Sequence, residues 1–136
     1  MMNRRRTMVA SIAIALLAGL WGMQRSRAET PSFKRVELQR HDLSTPGREA
    51  VVARAEFQAG AVAPKHTHPG EEFGYVLEGE LVVEIEGKPA LKLKAGDSFF
   101  VPAGQVHSGK NTGKTAAAVL STYIIEKDKP LATPVK

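Results

Sequence analysis

The chain has 136 residues, a formal net charge of +5 and no cysteine. This length predicts one domain, and a sequence without cysteine excludes disulfides, thiolate metal ligands and a lipid attached to cysteine. Five of the 19 Lys and Arg residues lie within the first 28 residues, which leaves 14 basic and 14 acidic side chains in residues 29–136. Because this larger part is electrically balanced and has no basic cluster, we expect no nucleic-acid partner.

Residues 1–28 predict a secretory signal peptide. Three consecutive arginines, Arg4 to Arg6, precede an apolar run at 8–23, and the small-x-small sequence Ser26-Arg27-Ala28 ends the segment. The uninterrupted apolar part is about 15 residues, shorter than the ~20 that a membrane-spanning helix needs. We therefore expect a cleavable signal helix, export to the periplasm or the exterior, and no stable membrane anchor after cleavage. An uncleaved N-terminal anchor is the alternative, and Arg5-Arg6 leaves open the twin-arginine route, which exports folded proteins.

The remaining residues predict short strands separated by Gly and Pro turns. The predicted strands occupy residues 51–57, 81–86, 91–94 and 98–101, with one or two more within 115–125. In the second of these, Leu81, Val83 and Ile85 fall on one face and glutamates on the other. No window shows a helical period, so the pattern favours an all-β sandwich or barrel. Residues 127–136 are typical of a loose polar tail.

Three of the four histidines, together with one glutamate, form a candidate metal site. His66 and His68 are two residues apart and share one face of an extended strand. Glu72 follows after a Pro-Gly pair, and His107 follows a later Pro-Ala-Gly turn. Each feature alone is also typical of a solvated surface, as is the acidic pair that Glu71 forms with Glu72. Jointly, three imidazoles and a carboxylate suit one divalent Fe, Mn, Ni, Cu or Zn ion and leave two octahedral positions open.

The spacing of these residues resembles the two motifs of the cupin superfamily, in particular its small single-domain, metal-binding members. The first motif corresponds to Gly60-(five residues)-His66-Thr67-His68-(three residues)-Glu72-(six residues)-Gly79. The second corresponds to Gly96-(five residues)-Pro102-Ala103-Gly104-(two residues)-His107-(three residues)-Asn111. Together the motifs, at 60–79 and 96–111, span residues 60–111, about half of the predicted domain at 29–136.

The resemblance implies a single antiparallel jelly-roll β-barrel with one metal ion inside its mouth. By position, it assigns His66, His68, Glu72 and His107 as metal ligands, and Glu72 also as the catalytic proton acceptor. The family spacing fits Glu72 and not Glu71, although strand alternation alone leaves the choice between them open. A small-molecule ligand or substrate is expected, and a homodimer is a further expectation because two-fold assemblies are common.

Three functions remain open at this point. The first is an oxidoreductase of dioxygenase or peroxide-using type on a small organic substrate, as the resemblance implies for a three-His, one-Glu set. The second is a metal-dependent lyase or isomerase on a sugar acid, and the third is a non-catalytic module that binds a metal or small ligand.

Other side chains of the predicted pocket are less defined. Tyr75, Tyr123 and Gln105 are candidates for an additional acid or base, although each is also typical of packing or turns. The sequence does not decide which of the candidate lining residues face inward, namely Phe57, Tyr75, Leu77, Phe99, Val101 and Tyr123.

Overall fold

The computed structural model of the chain describes residues 29–136, and the predicted signal peptide lies outside this part. Strands and turns make up the described residues, which contain no helix. The strands are β1 (Phe33–Asp42), β2 (Arg48–Phe57), β3 (Val62–Thr67), β4 (Gly70–Glu78), β5 (Glu80–Ile85), β6 (Leu91–Lys94), β7 (Ser98–Val101), β8 (His107–Lys110), β9 (Ala117–Glu126) and β10 (Thr133–Pro134). Within 29–136, therefore, no helix is long and apolar enough to cross a membrane.

The strands form two antiparallel five-stranded sheets. The first has the order β1-β2-β9-β4-β7 and the second the order β10-β3-β8-β5-β6. Neighbours in each sheet are mostly distant in the chain, as in a jelly roll, where the inner faces of two sheets pack against each other. The prediction of an all-β, antiparallel fold is confirmed, and the arrangement fits a jelly-roll barrel.

The interior forms because buried apolar residues alternate with more exposed residues along the longest strands. In β2, Val51, Ala53, Ala55 and Phe57 are buried, and the residues between them are partly exposed. This strand pairs with β9 along its full length, from Arg48↔Glu126 to Phe57↔Ala117. A period of two puts one apolar face of each strand on the core. The inward face predicted for Leu81, Val83 and Ile85 in β5 is confirmed.

Part of the strand pattern differs from the sequence prediction. The segment at 115–125 is one strand, β9. Strand β1 is not predicted from the sequence, because it is an exposed edge strand in which charged residues recur and no apolar alternation is visible. The prediction of a loose tail at 127–136 was wrong. Thr133 pairs with Thr67 and Pro134 with His66, and Leu131 packs against buried core residues. The tail covers a free edge of β3, and this long-range pairing leaves no local sequence signal.

One glycine brings an aromatic ring toward the interior. A Cβ on Gly74 of β4 would lie 2.1 Å from the ring of Phe99, which is its partner on β7. Since no side chain other than hydrogen fits, the Phe99 ring packs directly on the β4 backbone. This packing directs Phe99 into the same space as the histidines.

Candidate metal centre

The three predicted histidines lie together between the two sheets. His66 is in β3, His68 follows that strand, and His107 opens β8, where it is the direct cross-strand partner of His66. All three are buried, and one ring nitrogen of each lies within 4.8 Å of the others. The fourth histidine, His41, is exposed on β1. About 40 residues of the chain separate His107 from the other two histidines of the site. The antiparallel pairing of β3 with β8 brings them together in space.

Glu72 reaches the cluster from the opposite sheet. Its Oε2 lies 3.2 Å from Nε2 of His68 and 3.2 Å from Nε2 of His107. The hydroxyl of Ser121 on β9 donates a hydrogen bond to Oε1 at 2.7 Å. Glu71 is only partly buried and belongs to the other face of β4. Of the adjacent glutamates, Glu72 is the one beside the histidines.

Backbone carbonyls orient all three imidazoles in the same way. Nδ1 of His66 lies 2.7 Å from the carbonyl oxygen of Pro64, Nδ1 of His107 lies 2.9 Å from that of Gln105, and Nδ1 of His68 lies 2.5 Å from that of Leu131. A carbonyl only accepts, so each Nδ1 carries the proton and donates it. In the neutral ring Nε2 then holds a lone pair, and the three lone pairs point toward one another.

Such a donor set fits a divalent cation. Nε2 lone pairs and a carboxylate oxygen are all acceptors, and contacts of 3.2 Å between them require a shared proton or a metal ion. Nε2 of His68 is buried and has no hydrogen-bond partner within the described residues. An ion at this point would satisfy that atom and neutralise the repulsion. Ligation by His66, His68, Glu72 and His107 stays a prediction that this geometry favours.

The titration behaviour of the site follows from burial and neighbouring charge. Burial, with the charges of the other two histidines and of Arg35, lowers the pKa of His66 to about 4. Burial alone would raise the pKa of Glu72, but the adjacent imidazoles of His107 and His68 and the hydrogen bond from Ser121 hold it well below its ordinary value. Burial beside the Glu72 carboxylate raises the pKa of Tyr123 above its usual range. At neutral pH the site therefore offers a neutral His66, a charged carboxylate and an un-ionised phenol.

A cavity of about 30 Å³ adjoins the cluster, with His66, Glu72 and His107 in its wall. That volume has room for one or two water molecules, since one needs about 10–15 Å³ on the same measure. The rest of the wall is mainly apolar and includes Phe57 and Phe99. The site would therefore admit only a small ligand without rearrangement.

The cavity separates the candidate lining residues into two groups. Phe57, Phe99 and Tyr123 line it. Tyr75 and Leu77 are instead 48% and 39% exposed on the outer face of β4, and the remaining candidate, the valine at 101, is buried in the core. Strand alternation places Tyr75 on the face opposite Glu72, which removes it as a candidate acid or base at this site.

Gln105 is also removed as a candidate acid or base, and a turn position, the alternative for it, fits the structure. Its side chain is exposed and does not line the cavity; only its backbone carbonyl contributes, by orienting His107. Tyr123 is the one of the three candidates that borders the cavity.

Three functional residues had no role in the sequence prediction. Arg35 of β1 lines the cavity, with Nη2 3.3 Å from Nε2 of His66. Ser121 holds Glu72, and the carbonyl of Leu131 orients His68. A serine that interrupts the apolar run of β9 is a local signal for a polar interior position. The other two positions depend on long-range pairing.

Comparison with known proteins identifies the region that carries the site. The family model described as a cupin domain matches residues 53–123. A germin-like protein, subfamily 2 member 2, of Arabidopsis thaliana is 44% identical over 77 residues, which cover 53% of this chain and 35% of that protein. Oxalate oxidase 1 of Hordeum vulgare is 31% identical over 103 residues, which cover 60% of this chain and 51% of that protein.

Solved structures resemble the same part. An oxalate oxidase in complex with the substrate analogue glycolate superposes with a TM-score of 0.62 at 29% identity, covering 76% of this chain and 55% of that chain. A DMSP lyase from Ruegeria pomeroyi superposes with a TM-score of 0.57 at 27% identity, covering 63% and 43% respectively. The chain spans 35% to 51% of the length of the two curated relatives described above.

Proposed function

Since the chain belongs to the cupin domain family, we propose that it is a mononuclear metal-dependent oxidoreductase acting on a small organic substrate, of the dioxygenase or peroxide-using type. The observation that carries the proposal is the set of three Nε2 lone pairs and one carboxylate converging beside a small cavity. Similarity to oxalate oxidases, in sequence and in structure, supports redox chemistry. A four-ligand set leaves coordination positions open for a reactant.

The chain's own residues have distinct parts in this proposal. His66, His68, Glu72 and His107 would hold the ion, which when bound supplies Lewis-acid or redox chemistry. Ser121 fixes one oxygen of Glu72, so that the other faces the imidazoles. The lowered pKa keeps Glu72 ionised and favours a ligand role; to accept a proton in catalysis it must first move away from the imidazoles.

The environment of the cavity supports selection of small substrates. Aromatic and aliphatic side chains exclude bulk water, which strengthens every charge interaction inside. Un-ionised Tyr123 at the wall can donate its phenolic proton to a bound oxygen atom. Export of the protein stays a proposal supported by the sequence of residues 1–28, and dimerisation stays a prediction.

The test is metal-dependent turnover. The protein is loaded separately with Fe²⁺, Mn²⁺ and Cu²⁺, and oxygen consumption and peroxide formation are followed with oxalate, phenols and diketones. We expect turnover with at least one metal and substrate, and its loss in the His107→Ala variant at equal folded concentration. Retention of metal without turnover in any combination would contradict the oxidoreductase and favour the binding module.

A lyase is the second candidate, because the structural likeness extends to a DMSP lyase. In that case Tyr123 or Glu72 would move a proton next to a polarised carboxyl or carbonyl group. Incorporation of deuterium from D₂O into a substrate without oxygen consumption would support the lyase. Oxygen uptake coupled to product formation would exclude it for that substrate.

A further inference from the structure

Arg35 is a cation placed beside the histidine cluster without an acidic partner. It lies on β1, half-buried, and its Nε is buried with no hydrogen-bond partner among residues 29–136. Two other arginines, Arg40 and Arg54, each form ion pairs with two glutamates. No ion pair within the described residues includes Arg35. Glu72 lines the same cavity, but its carboxylate contacts His68, His107 and Ser121 instead of Arg35. Because a partly buried charge without its own counterion is unfavourable, the position of Arg35 favours binding of an additional anion.

The guanidinium is held at the reactive end of the cavity. Its Nη2 lies 3.3 Å from Nε2 of His66, the lone-pair atom of the candidate metal centre. Its Cζ lies 5.4 Å from the ring centroid of Phe33 and 5.9 Å from that of Tyr123, which limits its movement. A metal ion on His66 would put two positive charges close together. An anion that contacts both of them would remove that repulsion.

A second cleft beside the cavity has the same charge preference. A cleft of about 160 Å³ lies between β1, β3 and the C-terminal segment, and Arg35 and His66 border both this cleft and the inner cavity. Lys65 adds a further positive charge, and no acidic side chain borders the cleft. A cationic cleft concentrates anions and raises their rate of association with the residues that line it.

We propose that Arg35 is the specificity-determining residue of the site and binds the carboxylate of a small carboxylic acid, which would be the substrate class of this protein. The planar guanidinium matches a carboxylate and can bind it through two nitrogen atoms. The small inner cavity restricts the acid to a few heavy atoms. This inference rests on the proposed function for the identification of the ligand as a substrate, while the binding itself depends only on Arg35.

Calorimetric titration with glycolate and with its neutral amide, glycolamide, tests the assignment. The full chain is titrated both metal-free and after loading with Co²⁺, as wild type and as Arg35→Gln, Arg35→Lys and Arg54→Gln. Arg54 is the matched control, because it lies on the neighbouring strand with its ion pairs at the surface. Circular dichroism and Co²⁺ stoichiometry establish that each variant is folded.

We expect wild type to bind glycolate more tightly than glycolamide in both forms. Arg35→Gln weakens glycolate binding about 10- to 100-fold, as loss of a charge-assisted hydrogen bond predicts, and leaves glycolamide binding within about threefold. Arg35→Lys restores part of the affinity, because the charge remains but the two-nitrogen geometry does not. Arg54→Gln behaves as wild type.

Three results would overturn the assignment: equal binding of glycolate and glycolamide by wild type, glycolate affinity unchanged in Arg35→Gln, or no glycolate binding in either form. Binding of inorganic phosphate in place of glycolate, with the same dependence on Arg35, would also overturn the carboxylate class. Arg35-dependent glycolate binding without Co²⁺ uptake or turnover would leave this inference standing and remove the oxidoreductase.

Discussion

The interior of the protein has two regions that are built from the same strands but are stabilised in different ways. One is the apolar cluster, formed by Ala55, Phe57, Ala61, Ala63, Val76, Leu81, Val83, Ile85, Val101, Ala117 and Val119. The other is the histidine cluster, formed by His66, His68 and His107 with Glu72 and Ser121. Strand β9, for example, contributes Val119 to the first region and Ser121 to the second, two residues further along the same face.

The difference lies in what the buried atoms require. Apolar side chains need only to be close-packed, so the apolar cluster stabilises the fold by removing surface from water. In the histidine cluster each Nδ1 and one carboxylate oxygen are satisfied by the protein, but Nε2 of His68 and Nε2 of His107 face another acceptor, the carboxylate of Glu72. The first region is therefore complete in itself, whereas we expect a cation to complete the second.

Removal of one imidazole tests this division with the largest expected effect. His107→Ala is expected to lower metal affinity at least about 100-fold, because one of the four predicted ligands is lost, an imidazole that the Gln105 carbonyl orients. The free energy of unfolding of the metal-free protein should change by only about 1–2 kcal/mol. Equilibrium dialysis followed by metal analysis measures the first quantity, and urea unfolding the second.

The exposed His41 supplies the control for that variant. His41→Ala should retain wild-type affinity for the metal. Full retention of metal by His107→Ala, and likewise by His66→Ala, would disprove the site.

The stability of the metal-free protein should depend on pH through the histidine cluster. The pKa of His66 is about 4 in the folded chain but about 6.5 when unfolded. As pH falls from about 6.5 to 4 the unfolded chain binds the proton first, so the free energy of unfolding decreases by up to about 3 kcal/mol. Urea unfolding at several pH values measures this loss.

Two glutamine variants isolate the contribution of His66 to that pH dependence. His66→Gln should flatten the profile between these pH values, whereas the exposed His41→Gln should leave it unchanged. An equal slope in His66→Gln and wild type would contradict the assignment.

A substitution in the apolar cluster should have the opposite effect: it should lower the stability of the fold and leave metal binding unchanged. Val76→Ala removes fully buried atoms of β4 and is expected to reduce the free energy of unfolding by about 2–3 kcal/mol. The neighbouring Leu77 is on the outer face of the same strand, and Leu77→Ala should cost less than about 1 kcal/mol. Both variants should bind one metal ion per folded chain, as measured after gel filtration. Loss of metal from folded Val76→Ala would show that the two regions are not separable.

The smallest expected effect concerns the support of Glu72. Ser121→Ala removes the hydroxyl that donates to Oε1 of Glu72, and metal affinity should decrease about 10-fold. Ser98→Ala, at an exposed position, is the control. Competition with a chromogenic chelator is sensitive enough for this difference. Affinity equal to that of the control would mean that Ser121 does not position the carboxylate.

The strands and turns that follow local sequence patterns could be predicted from the sequence. Alternation in β2 and β5, and the turns before β7 and β8, indicated strands because a period of two and Gly/Pro turns are local properties. The spacing of the histidines indicated their convergence. The choice of Glu72 over Glu71 needed the family spacing, since a turn at Gly70 obscures which face each occupies.

The remainder depends on contacts between distant segments. Arg35 looks like one charge among many on a polar edge strand, and only the pairing of β1 with β2 turns it toward the cavity. Leu131 acts through a backbone carbonyl, which no side-chain pattern reveals. Tyr75 and Tyr123 are chemically identical candidates, and their opposite positions follow from strand register alone.

The central claim is that three imidazoles and Glu72 form a metal centre, and metal analysis of the purified protein tests it most directly. The protein is isolated from its native compartment without chelators or added metal and measured by inductively coupled plasma mass spectrometry. About one transition-metal ion per chain is expected. No bound metal, together with no uptake on titration with Fe²⁺, Mn²⁺, Ni²⁺, Cu²⁺ or Zn²⁺, would contradict the account.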